Sequence, residues 1–232
     1  MAVKPPNRRV PRRTQAKRCQ ERAHRTRALV IEETVRCIHE EGFAAASTRH
    51  IIERAGVSWG VIQYHFGDRD GLLTAVIEHA FTTLVTALND LADTAETVSD
   101  VDQRAEALTT AAWKVLHTPM SMTAFEILIA TRFMRGTLSM SQLAGLEAAF
   151  SRIASAIGAT TPHAAGVTNL LWASPVGMMV AQMVISVPLP TEQEQRALAA
   201  LISDHLKANR STRDSNDGKR KQVGSVARRT RR

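Results

Sequence analysis

Aromatic side chains make up only 4% of the 232 residues, and Tyr64 is the sole tyrosine. Sheets draw on aromatic and β-branched residues, while Ala, Leu and Met favour helices. No period-two alternation is long enough to imply a sheet, so the expected fold class is all-α. The two cysteines, Cys19 and Cys37, exclude a disulfide framework and show no metal-ligand spacing. Cys37 falls on an apolar helical stripe and reads as a small core residue, a usage that fits a reducing cytoplasm. The chain has no run of eighteen uninterrupted apolar residues, and its charged N-terminus lacks the apolar stretch of a signal peptide. The expectation is a cytoplasmic, nucleoid-associated chain with no membrane partner. Phosphate loops, metal-ligand clusters and recognisable nucleophile motifs are missing too, so no enzymatic activity, catalytic residue, metal or cofactor is expected.

Lysine is also scarce, at 6 against 24 arginines, and the positive charge is unevenly spread. The net charge is +8, but residues 1–27 carry ten Lys/Arg against Glu21 alone, and residues 207–232 carry ten against Asp214 and Asp217. The two ends therefore hold +9 and +8, which leaves −9 for residues 28–206. An acidic body between basic arms points to a polyanionic partner, with solvated tails as the plainer alternative. Residues 1–22, with Pro5, Pro6 and Pro11 among dense arginine, hold too little apolar surface to fold alone. A similar tail occupies residues 210–232.

Between the arms the pattern is helical. A first helix over about 22–41 places Val30, Thr34, Cys37 and Ile38 on one face and stops at Gly42. A short helix runs from Ser47, a good N-cap, to Ala55, and another follows Ser58 and ends before Gly67. Asp68 then caps a long helix reaching about Leu91. Further helices are expected near 101–117, 120–135, 139–158, 163–186 and 191–208, with Pro175 kinking the eighth. Residues 23–68 thus read as a three-helix head and 69–209 as a six-helix body.

The stretch from Ser47 to Phe66 carries the chemistry. Two helices too short to be stable alone meet across Ala55-Gly56-Val57-Ser58, with Ile51, Ile52, Val57 and Ile62 placed to pack them together. A short glycine-containing turn lets the second helix cross steeply and enter a major groove N-terminus first. Gly42-Phe43, Ser47 through Ser58, Gly60, Tyr64-His65-Phe66, Arg69-Asp70 and Leu72-Leu73 together resemble the TetR-type family of bacterial helix-turn-helix regulators. The resemblance is close over residues 28–73 and weak beyond about residue 90. It implies an all-α homodimer on double-stranded, pseudo-palindromic DNA, with an effector pocket behind the head whose occupation releases the DNA.

The resemblance places Ser58, Trp59, Gly60, Val61 and Gln63 toward the groove, Thr48 and Arg49 near backbone and bases, and Tyr64, His65 and Arg69 on phosphates. The chemistry agrees: Gln63 can bridge adenine N6 and N7, and Arg49 can reach guanine. Two positions depart from the family, which commonly has lysine at the place of Trp59 and tyrosine at that of Gln63. The recognition helix consequently carries no Lys or Arg. Trp59 can pack on a sugar or thymine methyl, or fold back on the head. His65 can instead cap the helix end, where a partly charged imidazole is favoured.

Seven of the eight methionines lie between Met120 and Met183, a density that suits an adaptable apolar cavity or an ordinary helical core. Trp113, His117, Met122, Phe125, Phe133, Asn169, Trp172 and Met179 are the candidate ligand residues. Leu170, Leu171, Val176 and Val180, with Leu198, Leu201 and Ile202, suggest a four-helix dimer interface. The leading functional reading is a DNA-binding transcription regulator, expected to be a repressor released by a small apolar or amphipathic effector. The alternative is a DNA-bound structural or adaptor protein of the same fold without a small-molecule switch.

Overall fold

The computed structural model describes residues 12–133, 140–157, 164–185, 187–208 and 211. Among them every regular element is helical. In order these are α1 (Arg12–Glu41), a single 3-10 turn (Phe43–Ala45), α2 (Thr48–Ala55), α3 (Trp59–Phe66), α4 (Arg69–Thr97) and α5 (Val101–Leu116). There follow α6 (Pro119–Ala130), α7 (Met140–Ile157), α8 (Ala164–Ile185) and α9 (192–208). The chain divides into a head, Met1–Ile77 with Glu126–Ala130, and a body formed by the remainder.

Local sequence sets most boundaries. The Ser47 hydroxyl accepts the His50 N–H at 3.2 Å and caps α2, while Gly56 ends it in the left-handed region at φ 63°. Asp68 caps α4 by accepting the Gly71 N–H at 2.8 Å. A Cβ at Gly71 would lie 1.9 Å from the Phe66 carbonyl oxygen, so only glycine permits α3 to end this close to α4. Pro119 is the first residue of α6, where its missing N–H costs nothing. Helix α1 begins at Arg12, ten residues before the start read from the sequence. The stretch after Pro11 consists largely of Arg, Gln, Ala, Lys and Glu, and their helix propensity extends α1 through half of the segment taken as an arm. Residues 1–11 and most of 209–232 lie outside the described residues.

In the head, Val30, Thr34, Cys37 and Ile38 of α1 are buried together with Ile51 of α2, Ile62 of α3 and Leu72 and Val76 of α4. Thr34 Oγ1 donates back to the Val30 carbonyl at 2.7 Å, which satisfies the buried hydroxyl. Arg54 ties α2 to α1 by pairing with Glu40 at 2.7 Å and with Glu41, while approaching Glu33 at 3.8 Å. The Phe43 N–H, in the turn after α1, donates to the Glu126 carboxylate at 2.6 Å. That charge-assisted bond joins residues 83 positions apart.

In the body, Leu88 and Leu91 of α4, Leu108 and Trp113 of α5, Ile153 and Ile157 of α7, Leu171 of α8 and Ile202 of α9 form one apolar core. Phe150 and Trp172 meet edge to face at 4.8 Å. Arg152 bridges α7 to Asn89 (3.0 Å) and to Asp93 of α4, and Lys207 of α9 pairs with Asp102 of α5 at 2.7 Å. Helix α8 runs as one helix through Pro175, which is buried. The expected seam residues divide: Leu171, Leu198 and Ile202 are buried within this chain, whereas Leu170 and Leu201 are 50% and 61% exposed. A 3.6-residue repeat puts neighbouring leucines on different faces, so only part of each apolar set is available to a partner.

Ile62, fully buried in α3, anchors the recognition helix. Ile62→Ala should destabilise the head by roughly 2–5 kcal/mol and Ile62→Val by roughly 0.5–1.5 kcal/mol. Urea denaturation would check both; an unchanged midpoint for Ile62→Ala would mean the site is not packed as described.

Candidate nucleic-acid interface

Helix α3 turns its apolar side inward through Ile62 and leaves Ser58, Trp59, Gly60, Gln63 and Tyr64 exposed, with Val61 half-buried. Trp59 is 50% and Tyr64 79% exposed, which for aromatic rings on a small head is unusual. Of the two arrangements open to Trp59, the outward one is adopted. Trp59 and Gln63 are four residues apart and share a face, so they present one surface of donors, acceptors and ring. The Ser58 hydroxyl makes no capping bond, although its carbonyl accepts the Val61 N–H at 3.0 Å. This leaves the first turn of α3 with N–H groups and a hydroxyl available to an acceptor.

Thr48 opens α2 half-buried, beside exposed Arg49, whose guanidinium pairs with Glu53 at 3.0 Å. Both partners are largely solvated, so the pair is weak and easily exchanged for a phosphate or base. Arg69 is more deeply committed than its place in the sequence implied. Its Nε donates to the Ala46 carbonyl at 2.8 Å and its guanidinium lies 4.9 Å above the Phe43 ring. A long side chain at the start of α4 thereby braces the turn after α1, an arrangement that no local pattern discloses.

His65 is half-buried and stands edge-on to Tyr64 at 4.8 Å. Burial lowers its pKa first, with Arg27 and then His24 adding repulsion to the charged form. Arg27, 5.4 Å over the Phe66 ring, and His24 are the residues that sequence reasoning passed over here. They sit in the basic stretch of α1 and match no motif position, and only the fold brings them to α3. Lys17, Arg18, Arg22 and Arg25 are exposed on the same helix, so α1 supplies cations that α3 lacks.

The fold also joins residues that spacing alone left apart. The ligand atoms of Cys37, Glu41 and His50 all lie within 4.8 Å of one another.

In the body, the eight candidate ligand residues are scattered. Trp113 and Met179 are core, at 4% and 0% exposure, whereas Phe133 and Asn169 face solvent. Met122, Phe125 and Trp172 are half-buried. Trp113 and His117 stack 6.1 Å apart with rings 3° from parallel, and His117 Nδ1 lies 3.1 Å from the Trp113 carbonyl. Trp113 Nε1 and His117 Nε2 are both buried without a hydrogen-bond partner among the described residues. A groove of about 410 Å³ is lined by Leu84, Ala87 and Leu91 of α4, Ala111 and Val115 of α5, and Met120 of α6, with Asp90 and Lys114 among its polar groups. None of the eight candidates lines it. Most of its lining comes from α4 and α5, and only Met120 and Ser121 belong to the methionine-rich stretch.

A trihelical head with a short, outward-facing third helix defines a helix-turn-helix DNA-binding domain. Residues 30–76 match the profile of the bacterial regulatory proteins of the tetR family. A transcriptional regulator of the helix-turn-helix type, BetI from Burkholderia thailandensis, is 38% identical over 58 residues. That match spans 25% of this chain and 30% of the relative. Among solved structures, the TetR-family regulator PfmR from Thermus thermophilus shares the fold with a TM-score of 0.58 at 18% identity, covering 75% of this chain and 97% of that one. A TetR-family protein from Mesorhizobium loti also has a TM-score of 0.58 at 18% identity, covering 81% and 97%. Residues 30–76 are thus similar to the tetR-family helix-turn-helix head, and the chain as a whole shares the all-helical fold of these structures.

Gln63→Ala should leave the melting temperature unchanged and relax base preference at one position per half-site, at a cost of about 1–3 kcal/mol there. Arg69→Ala should weaken binding to all sequences alike and also lower the melting temperature, because it gives up the Ala46 hydrogen bond and the Phe43 stacking. Equal loss on cognate and random DNA for Gln63→Ala would remove it from the reading surface.

Proposed function

We propose that this chain is a sequence-specific, DNA-binding transcription regulator acting in the cytoplasm on nucleoid DNA. The observation that carries this reading is the face of α3, where Ser58, Trp59, Gly60, Gln63 and Tyr64 stand exposed on a helix anchored by Ile62. Gln63 reads a base edge, Trp59 packs against sugar or a thymine methyl, and Ser58 and Tyr64 meet phosphates. Thr48, Arg49, His65 and Arg69 flank that surface, and Val61 sits at its edge. His24 and Arg27 join the phosphate-facing set, where an anion would relieve the repulsion around His65.

The working form is a homodimer. One short helix reads too few bases for genomic specificity, so two-fold symmetry in the protein should be matched by a pseudo-palindromic operator. Helix α8 supports this: its window from Gly166 has a mean hydropathy of 1.3 yet is only 22% buried, with Leu170, Val184 and Ile185 facing outward. Exposed Leu201 on α9 adds to the surface that a second copy would cover.

The regulator acts as a repressor that a small apolar or amphipathic effector releases from DNA. The apolar groove between α4 and α5 and the unpartnered Trp113 and His117 nitrogens support a ligand in the body. With Nδ1 donating to the Trp113 carbonyl, His117 Nε2 is left as an acceptor and Trp113 Nε1–H as a donor, each able to take a ligand's polar group. A DNA-bound adaptor without a switch is the second reading, favoured by how many of the candidate ligand residues are core.

Selection of bound DNA from a random pool tests the central claim. The expected product is a site with two-fold symmetry bound by a dimer in sedimentation, and an asymmetric site bound by a monomer would sink it. Any compound that weakens binding to that operator must itself bind more weakly when operator is present, by the same factor. Removing residues 1–22 should flatten the dependence of affinity on salt, by about 0.9 in log–log slope for each phosphate that the shortened chain leaves unneutralised, on specific and random DNA alike. An unchanged slope would mean that this segment neutralises no phosphates.

A further inference from the structure

We propose that Cys37, Glu41 and His50 form a transition-metal site of the Zn²⁺ class in the DNA-binding head. Cys37 and Glu41 are four residues apart on α1 and so project from one face of that helix. His50, in the first turn of α2, comes from the neighbouring helix and is held by the Ser47 cap. The three donor atoms lie within 4.8 Å of one another, and His50 Nε2 is already 2.9 and 3.1 Å from the two Glu41 oxygens. Ligands at ordinary Zn–S, Zn–N and Zn–O distances sit about 3.2–3.8 Å apart around a tetrahedral ion. Small side-chain rotations are enough to close the set.

Sulfur, imidazole nitrogen and one carboxylate suit a borderline-soft divalent ion, and three protein ligands leave a fourth position for water. Arg54 does not compete for the whole carboxylate: it pairs with Glu41 through Oε1, which leaves Oε2 toward His50. By holding Glu41 in one orientation it acts as an outer-shell support for the ligand. Glu33 and Glu40 flank Arg54, so their carboxylates offset its charge near the ion. The ion would brace α1 against α2, and binding would favour the folded head through linkage. Cys19 is exposed and eighteen residues upstream of Cys37, which gives a built-in control thiol.

The test is titration of the full chain with Co²⁺, followed by displacement with Zn²⁺. Wild type and Cys19→Ser should take one equivalent per chain, with tetrahedral d–d bands and a thiolate-to-cobalt charge-transfer band. Cys37→Ala, a replacement that suits a small core position, should lose the charge-transfer band. Glu41→Gln, at an exposed position, and His50→Ala, at a half-buried one, should weaken binding at least tenfold, and Zn²⁺ should raise the melting temperature of wild type but not of His50→Ala. The proposal is overturned if wild type shows no thiolate band, if the band follows Cys19 instead, or if His50→Ala binds Co²⁺ as wild type does.

Discussion

Two eight-residue helices cannot hold themselves together in water, because the few hydrogen bonds they close do not offset the entropy of ordering them. Everything this head presents to DNA therefore depends on burying one side of α2 and α3 against α1. Ile51 and Ile62 are completely excluded from solvent, and that burial orients the opposite faces outward. Gly56 and Gly71 serve the same end: one permits the left-handed turn between the helices, and the other lets the Phe66 carbonyl approach α4.

The head's internal electrostatics are arranged around α1. Arg54 is absorbed by Glu33, Glu40 and Glu41, while Lys17, Arg18, Arg22 and Arg25 remain outward on the same helix. The exposed side of α3 is polar and aromatic without cations. Under the proposed reading, affinity and base discrimination fall to different helices: phosphates to α1 and the helix starts, base edges to Gln63 and its neighbours. Arg69 straddles the division, since the guanidinium that could face a phosphate also holds the Ala46 carbonyl.

The body solves a different problem. Its core is built from Leu, Ile, Val, Ala and Trp113 on α4, α5, α7, α8 and α9, while Met179 is buried and Met120, Met122, Met178 and Met183 are half-buried. Buried Trp113 and His117 keep one nitrogen each without a partner among the described residues, a cost that a ligand or water would remove. Apolar side chains on α8 that stay exposed within the chain are the support for the proposed dimer.

Elements governed by local rules were legible in the sequence. The caps at Ser47 and Asp68, the stops at Gly42 and Gly56, and the spacing of the helix-turn-helix depend on residues within one or two turns of each other. The start of α1 was misplaced because dense charge suggested an arm, although Arg, Lys, Gln and Glu are good helix formers. The family resemblance named the outward residues of α3, but left the fate of Trp59 open, since a ring can turn either way until its surroundings are known. What only the tertiary structure decided is which distant side chains meet: Glu126 with the Phe43 N–H, Arg69 with the Ala46 carbonyl, His24 and Arg27 with His65, and His50 with Cys37 and Glu41. Nor could spacing tell Leu171 from Leu170 or place the groove along α4. Helical periodicity says that a face is apolar, whereas the packing of several helices determines whether that face meets the chain's own core or solvent.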